Sequence, residues 1–175
     1  VVPEATEAPY EALRKNEIDV ALVSNPVANS EFAEQELFSD ELFAVMHETH
    51  ALADEKYLAA TQFSAQTLIL YTGDRHAIVD EIIAPANVSG YRIIQVRMTE
   101  AIIELARSGQ GIAVIAGWAL DDIAETEGLV AVRITKPGFQ RSWRAVVGAD
   151  CNEEHVESFL GGVRAIGAAI QNQQW

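Results

Sequence analysis

Leu105-Ala106-Arg107-Ser108-Gly109-Gln110-Gly111-Ile112-Ala113-Val114-Ile115 is the stretch that decides the fold. Upstream of the glycines, Met98 to Ser108 carries Ile102, Ile103, Leu105 and Ala106 along one side at helical spacing. Gly109 then supplies the residue that most readily ends a helix. Downstream, Gly111 to Ile115 is a short, β-branched apolar run, the mark of a buried strand. Helix, stop and strand follow one another within a few residues. The order also excludes a dinucleotide-binding loop, which needs a strand first, a helix second and a third glycine.

Working outward, the same rhythm continues in both directions. Tyr91 to Val96 reads as a strand before that helix, and Trp118 to Glu127 as a short helix after it. Thr67 to Tyr71 is a buried strand stopped by Thr72-Gly73-Asp74, and Ala77 to Ala84 is a helix closed by Pro85. Nearer the start, Val1-Val2 reads as the tail of a strand and Pro9 opens a helix running to Asn16. Ile18 to Val23 is a strand ended by Ser24-Asn25-Pro26, and Leu37 and Phe38 precede another at Glu41 to Met46. Leu129 to Ile134 and Ser142 to Val147 are further strands, and Glu153 to Gln171 is the closing helix. Strands alternating with helices in this way imply an α/β fold with a mainly parallel sheet. In such folds ligands sit beyond the carboxyl ends of strands. Four strand-to-helix junctions qualify: Glu4-Ala5-Thr6, Tyr71-Thr72-Gly73, Arg97-Met98-Thr99 and Ala116-Gly117-Trp118.

The composition narrows the function. The 175 residues suffice for one ordinary domain or two small lobes. Twelve basic against twenty-six acidic residues give a net charge of −14, which opposes contact with nucleic acid or anionic membrane. A single cysteine, Cys151, excludes an internal disulfide framework and a cysteine-rich metal site. No apolar run approaches the ~20 residues of a membrane-spanning helix, and no secretion signal is present. The chain reads as a piece of a longer, cytoplasmic protein.

Catalytic and metal motifs fare poorly. His47-Glu48-Thr49-His50 spaces its histidines three apart, whereas a zinc-protease helix needs four, so a solvated strand-end loop is the better reading. There is no G-x-S-x-G elbow, and Cys151 lies among acidic residues that disfavour its thiolate. Asp121-Asp122 and Glu153-Glu154 suit first turns of helices. The residues point to no enzyme, no metal and no cofactor. Thr6, Thr72 and Thr99 stand at equivalent junctions, where a hydroxyl and free backbone N–H groups can either cap a helix or meet a carboxylate.

Several segments together resemble the LysR-type transcriptional regulators. Asn16-Glu17-Ile18-Asp19-Val20-Ala21-Leu22 is similar to that family's G-x-hydrophobic-D-hydrophobic-A-hydrophobic signature. Glu36 to Val45 is similar to the segment before its HPLA element, which reads His50-Ala51-Leu52-Ala53 here. Leu105 to Ile115 resembles its V-x-x-G-x-G-I-x-x-L-P, with Ala116 in place of the final proline. Leu68 to Tyr71, Ile83 to Val88, Met98 to Ile103 and Gly117-Trp118 resemble the MetR-like, homocysteine-responsive subgroup.

The resemblance implies a two-lobed, periplasmic-binding-protein-like (type 2) effector domain, with mixed sheets flanked by helices. The first strand–helix unit and the N-terminal winged helix-turn-helix would lie outside the chain. Chain crossings are expected near Met46-His47 and Trp143-Arg144, giving one lobe of residues 1–47 and 144–175 and another of 48–143. A solute-binding transporter component with the same fold is the alternative. The resemblance further implies a homo-oligomer, DNA contact only through the N-terminal part, no membrane contact, and homocysteine or a related amino acid as effector. Thr99, Thr72 and Thr6, with Gly73, would serve its carboxylate. Ser24, Asn25 or Glu4 would accept from its ammonium, and Tyr71, Met98 and Trp118 would cover its tail.

Overall fold

A computed structural model of the chain describes residues 2, 5, 8–24, 31–72, 76–120, 127–148 and 153–171. In chain order they form α1 (Pro9–Arg14), β1 (Val20–Val23), β2 (Ala33–His47), β3 (Tyr57–Leu58), β4 (Thr67–Tyr71), β5 (Arg92–Val96), α2 (Thr99–Arg107), β6 (Ile112–Ala116), β7 (Leu129–Ile134), β8 (Phe139–Val147) and α3 (Glu153–Gln171). Two units result: Val1–Asp40 with Arg141–Trp175, and Glu41–Gln140. The divisions fall inside β2 and β8, earlier in the chain than the crossings expected near Met46-His47 and Trp143-Arg144. A continuous strand carries no turn signal where it passes from one unit into the next.

In the first unit, β1 pairs antiparallel with β8, from Val20 opposite Val147 to Val23 opposite Arg144. Successive residues of β8 point to opposite faces. Val146 packs with Leu13 of α1 and Ala21, while Ala145 and Val147 pack with Val156 and Leu160 of α3. The polar first half of β2 is anchored by a buried carboxylate. Asp40, its side chain 1% exposed, accepts from Arg141 Nε at 2.9 Å and from the Trp143 indole N–H at 3.2 Å. A second guanidinium N–H of Arg141 reaches the other carboxylate oxygen. The guanidinium lies 4.6 Å from the Trp143 ring centre, and Phe38 stacks on the same indole at 6.1 Å. This pairing offsets the large cost of burying a lone charge.

In the second unit the strands run β3-β7-β2-β6-β4-β5. β4 lies between β6 and β5, parallel to both. β2 is antiparallel to β6 and β7. The sheet is therefore mixed, as the family resemblance implies, and not mainly parallel as the alternation of strands and helices alone suggests. The parallel strands β4, β5 and β6 are joined by the helical segments Ile78–Ile83 and α2, whereas β7 runs into β8 through the tight turn Thr135-Lys136-Pro137-Gly138. Strands buried on both faces read as near-continuous apolar runs. Ile69, Ala113, Ile115 and Val45 face Ile102 and Ala106 of α2. Leu68, Leu70, Ile112, Ala44 and Met46 face Phe63, Ile78 and Ile83 on the other side.

Several elements differ from the sequence reading. Val2 lies outside any strand, and β2 begins well before Glu41. A 3-10 turn, Ala60–Phe63, was unread; the Gln62 side chain accepts the Ala59 N–H at 2.8 Å and fixes its start. The segment expected as an α-helix at Ala77 to Ala84 is π-helical over Ile78–Ile83, with the Ala84 N–H reaching Val79 O at 2.8 Å. That wider turn buries both Ile78 and Ile83, five residues apart. After β6 a 3-10 turn, Gly117–Ala119, stands where the helix Trp118 to Glu127 was expected, and 121–126 lie outside the described residues.

Candidate functional site

Three parallel strands bring their carboxyl ends to one edge of the second unit. Tyr71 pairs with Val96, and the Thr72 N–H donates to Val96 O at 3.0 Å, so the ends of β4 and β5 are held level. β6 ends beside them at Ala116, followed by Gly117 and Trp118. The edge thus gathers Tyr71, Thr72, Met98, Thr99 and Trp118, all marked as candidates from the sequence. Thr72 is half-buried and Thr99 exposed.

The start of α2 is open. Met98 occupies the cap position in extended conformation and makes no side-chain cap hydrogen bond; its carbonyl accepts the first helical bond, from Ile102 N–H at 3.1 Å. Thr99 is the first helical residue, which corrects its reading as an N-cap. The first-turn N–H groups of Thr99, Glu100 and Ala101 have no partner within the helix. Around this polar end stand three large side chains with much surface exposed: Tyr71 at 46%, Met98 at 61% and Trp118 at 46%. Apolar surface gathered around an open helix terminus is a surface suited to binding.

The other candidates fall elsewhere. Ser24 is half-buried at the end of β1 and belongs to the first unit. Thr6, Asn25 and Gly73, with Glu4, lie outside the described residues. Sequence reasoning missed His76 and Gln95, whose Nε2 atoms lie 3.1 Å apart beside the carboxyl end of β4. Burial holds the half-buried His76 ring below the ordinary histidine range, and the charge of Asp80 offsets part of that effect. The signal available was a histidine a few positions after the β4 run in the sequence.

His47 and His50 are engaged locally. His47 Nδ1 accepts the Thr49 N–H at 3.2 Å, and His50 Nδ1 accepts the Leu52 N–H at 3.2 Å. Among the described residues no three His, Cys, Asp or Glu converge as a metal site, and no helix is long and apolar enough to cross a membrane.

A mixed sheet with helices on its faces is the architecture of regulatory domains with the periplasmic-binding-protein-like type 2 fold. The model of the LysR substrate binding domain matches residues 1–166, and the chain belongs to that family. It is 26% identical over 160 residues to the HTH-type transcriptional regulator MetR of Haemophilus influenzae, covering 90% of this chain and 52% of that protein. It is 32% identical over 113 residues to the Hca operon transcriptional activator HcaR of Escherichia coli, covering 62% of this chain and 38% of that one. The chain therefore spans about half or less of the curated relatives it matches. Among solved structures, the regulatory domain of MetR from N. meningitidis superposes with a TM-score of 0.84 at 26% identity, over 94% of this chain and 78% of that one. The match to a regulator family weighs against the transporter alternative.

Proposed function

We propose that the chain is the ligand-sensing part of a cytoplasmic regulator of methionine or sulfur amino-acid metabolism, with homocysteine or a close relative as effector. The observation that carries the reading is the edge of β4, β5 and β6, where an uncapped helix start meets exposed Tyr71, Met98 and Trp118. Its similarity to MetR over nearly the whole chain supports the choice of ligand.

In this reading the effector carboxylate lies on the first-turn N–H groups of α2 and the Thr99 hydroxyl, with Thr72 as a further donor, and the thiol-bearing tail lies on Tyr71, Met98 and Trp118. A helix start favours an anion by roughly 0.3–1 kcal/mol, up to about 2 when partly buried. DNA contact belongs to an N-terminal winged helix-turn-helix outside this chain, and the whole regulator is a homo-oligomer. No metal or other cofactor enters the reading.

Isothermal titration of L-homocysteine into wild type and Thr99→Val tests it. Loss of a charge-assisted hydrogen bond costs about 1.5–3 kcal/mol, or roughly 10- to 150-fold in affinity. Thr99→Val is expected to bind that much more weakly with its melting temperature little changed, because the hydroxyl caps nothing. Equal affinities reject Thr99 as a contact, and no binding by wild type at millimolar homocysteine rejects the effector.

A further inference from the structure

The chain holds two methionines, and their surroundings are opposite. Met46 lies in β2 opposite Val130 with none of its surface exposed, on the side of the sheet that carries Phe63, Ile78 and Ile83. Met98 leaves 61% of its surface open, on a residue in extended conformation just ahead of α2. Oxidation of a thioether follows access, so the two sulfurs differ in the property that selects a target. Met98 also stands where a change of polarity has an effect. Its carbonyl makes the first helical bond of α2, while the N–H groups of Thr99, Glu100 and Ala101 directly behind it have no partner within the helix. Ile69 faces α2, so Tyr71, two residues on, stands on the same side of β4 as that helix. At the cap position of a helix, a side-chain oxygen ordinarily accepts from the second or third of these N–H groups. A thioether supplies no such oxygen, and a sulfoxide does.

We propose that Met98 is a reversible oxidation site, at which a hydroperoxide places an acceptor oxygen on the first-turn N–H groups of α2 and so lowers the affinity of this edge for an anionic effector. The proposal rests on the site reading above and adds regulation to it. A sulfur lone pair attacks one peroxide oxygen, the O–O bond breaks and an S–O bond forms. The proton of the transferred oxygen passes to the departing one, which leaves as water or an alcohol. Sulfur is oxidised by two electrons and the peroxide is reduced by two. The sulfoxide is polar and uncharged, and methionine sulfoxide reductases return it to the thioether. Two effects then act in the same direction. The new oxygen competes for the donors that the effector carboxylate needs, and the apolar cover shared with Tyr71 and Trp118 becomes partly polar. Competition from one neutral hydrogen bond corresponds to roughly 2- to 10-fold in affinity.

Two measurements on the full chain test this, both with Cys151→Ser so that the two thioethers are the sulfur groups open to oxidation. The first treats the protein with hydrogen peroxide, follows each methionine by peptide mass spectrometry and records amide spectra by NMR. Met98 is expected to gain one oxygen at least about tenfold faster than Met46, because access sets the rate. The Glu100 and Ala101 N–H resonances should then shift and exchange more slowly with solvent. Met46 oxidised as fast as Met98, or first-turn resonances unmoved by the sulfoxide, overturns the proposal. The second titrates L-homocysteine calorimetrically into untreated and peroxide-treated protein after the peroxide has been removed. Oxidation should weaken binding roughly 2- to 10-fold, and a methionine sulfoxide reductase should restore it. Met98→Leu, whatever its starting affinity, should show no change on treatment. An unchanged affinity after full oxidation of Met98, or an equal loss in treated Met98→Leu, overturns the proposal while leaving the homocysteine reading standing. Absence of binding by untreated protein removes that effector, and the amide spectra then decide the role of Met98 by themselves.

Discussion

The two units each contain a helix that turns directly into a strand, and the two junctions are built alike but tolerate different residues. In the first unit α1 stops at Asn16, with φ of 53°; the Asn16 N–H reaches Leu13 O at 3.0 Å and the Glu17 N–H reaches Ala12 O at 2.9 Å. In the second, α2 stops at Gly109, with φ of 70°; the Gly109 N–H reaches Ala106 O and the Gln110 N–H reaches Leu105 O, both at 3.0 Å. Both are Schellman closures with one residue in the left-handed conformation. Asparagine serves as well as glycine there because its short polar side chain tolerates that region. Two residues on, the junctions diverge. Ile18 packs partly buried beside Leu13 and Val146, whereas a Cβ on Gly111 would sit 2.3 Å from Thr67 O. The first glycine of the Gly-x-Gly pair serves the turn, and the second serves the sheet. β6 enters between β2 and β4, so Gly111, the residue just before it, has a neighbouring strand's backbone where a side chain would go.

Gly111→Ala should break the comparison hardest. The obstacle is main chain inside a paired strand and cannot swing aside, so overpacking of about 3 kcal/mol is expected. In a chain of this size that lowers the melting temperature by roughly 6–12 °C, measured by circular dichroism. A loss under about 2 °C would mean that β4 and β6 part easily. Gly109→Ala meets nothing within 4 Å and suffers only its backbone conformation, about 1 kcal/mol. Chemical denaturation should rank it clearly below Gly111→Ala; the reverse order would assign the packing role to the wrong glycine. Asn16→Gly should change stability by no more than about 0.5 kcal/mol, since either residue fits the left-handed stop. A large loss there would show that the Asn16 side chain does more than close α1.

These junctions also show what the chain reveals as plain sequence. Thr67–Tyr71, Leu129–Ile134 and Glu153–Gln171 form where expected, because turn residues or a long helical period bound each one. The first half of β2 was illegible for a physical reason: Glu34, Gln35, Glu36 and Asp40 carry no apolar alternation, and long-range pairing keeps that segment extended. Asp40 is buried where Arg141 and Trp143, 101 and 103 residues further along the chain, donate to its carboxylate. At the candidate site, the strand rhythm was enough to bring Tyr71, Thr72, Met98, Thr99 and Trp118 to one edge. His76 and Gln95 left no such trace, since a side-chain bond between a loop and a strand has no period.

Glu41–Gln140 is one uninterrupted stretch of chain set into a unit whose own sequence is split, and the two ends of that stretch are already tied. Gln140 Nε2 donates to Glu41 Oε2 at 3.3 Å, while Arg141 and Asp40 are joined just outside. The second unit is therefore organised as an insertion, a cassette whose entry and exit lie side by side. Cutting at Asp40–Glu41 and Gln140–Arg141 leaves adjacent ends on both pieces, so a short linker can close the first unit and the carboxyl edge can be transplanted whole.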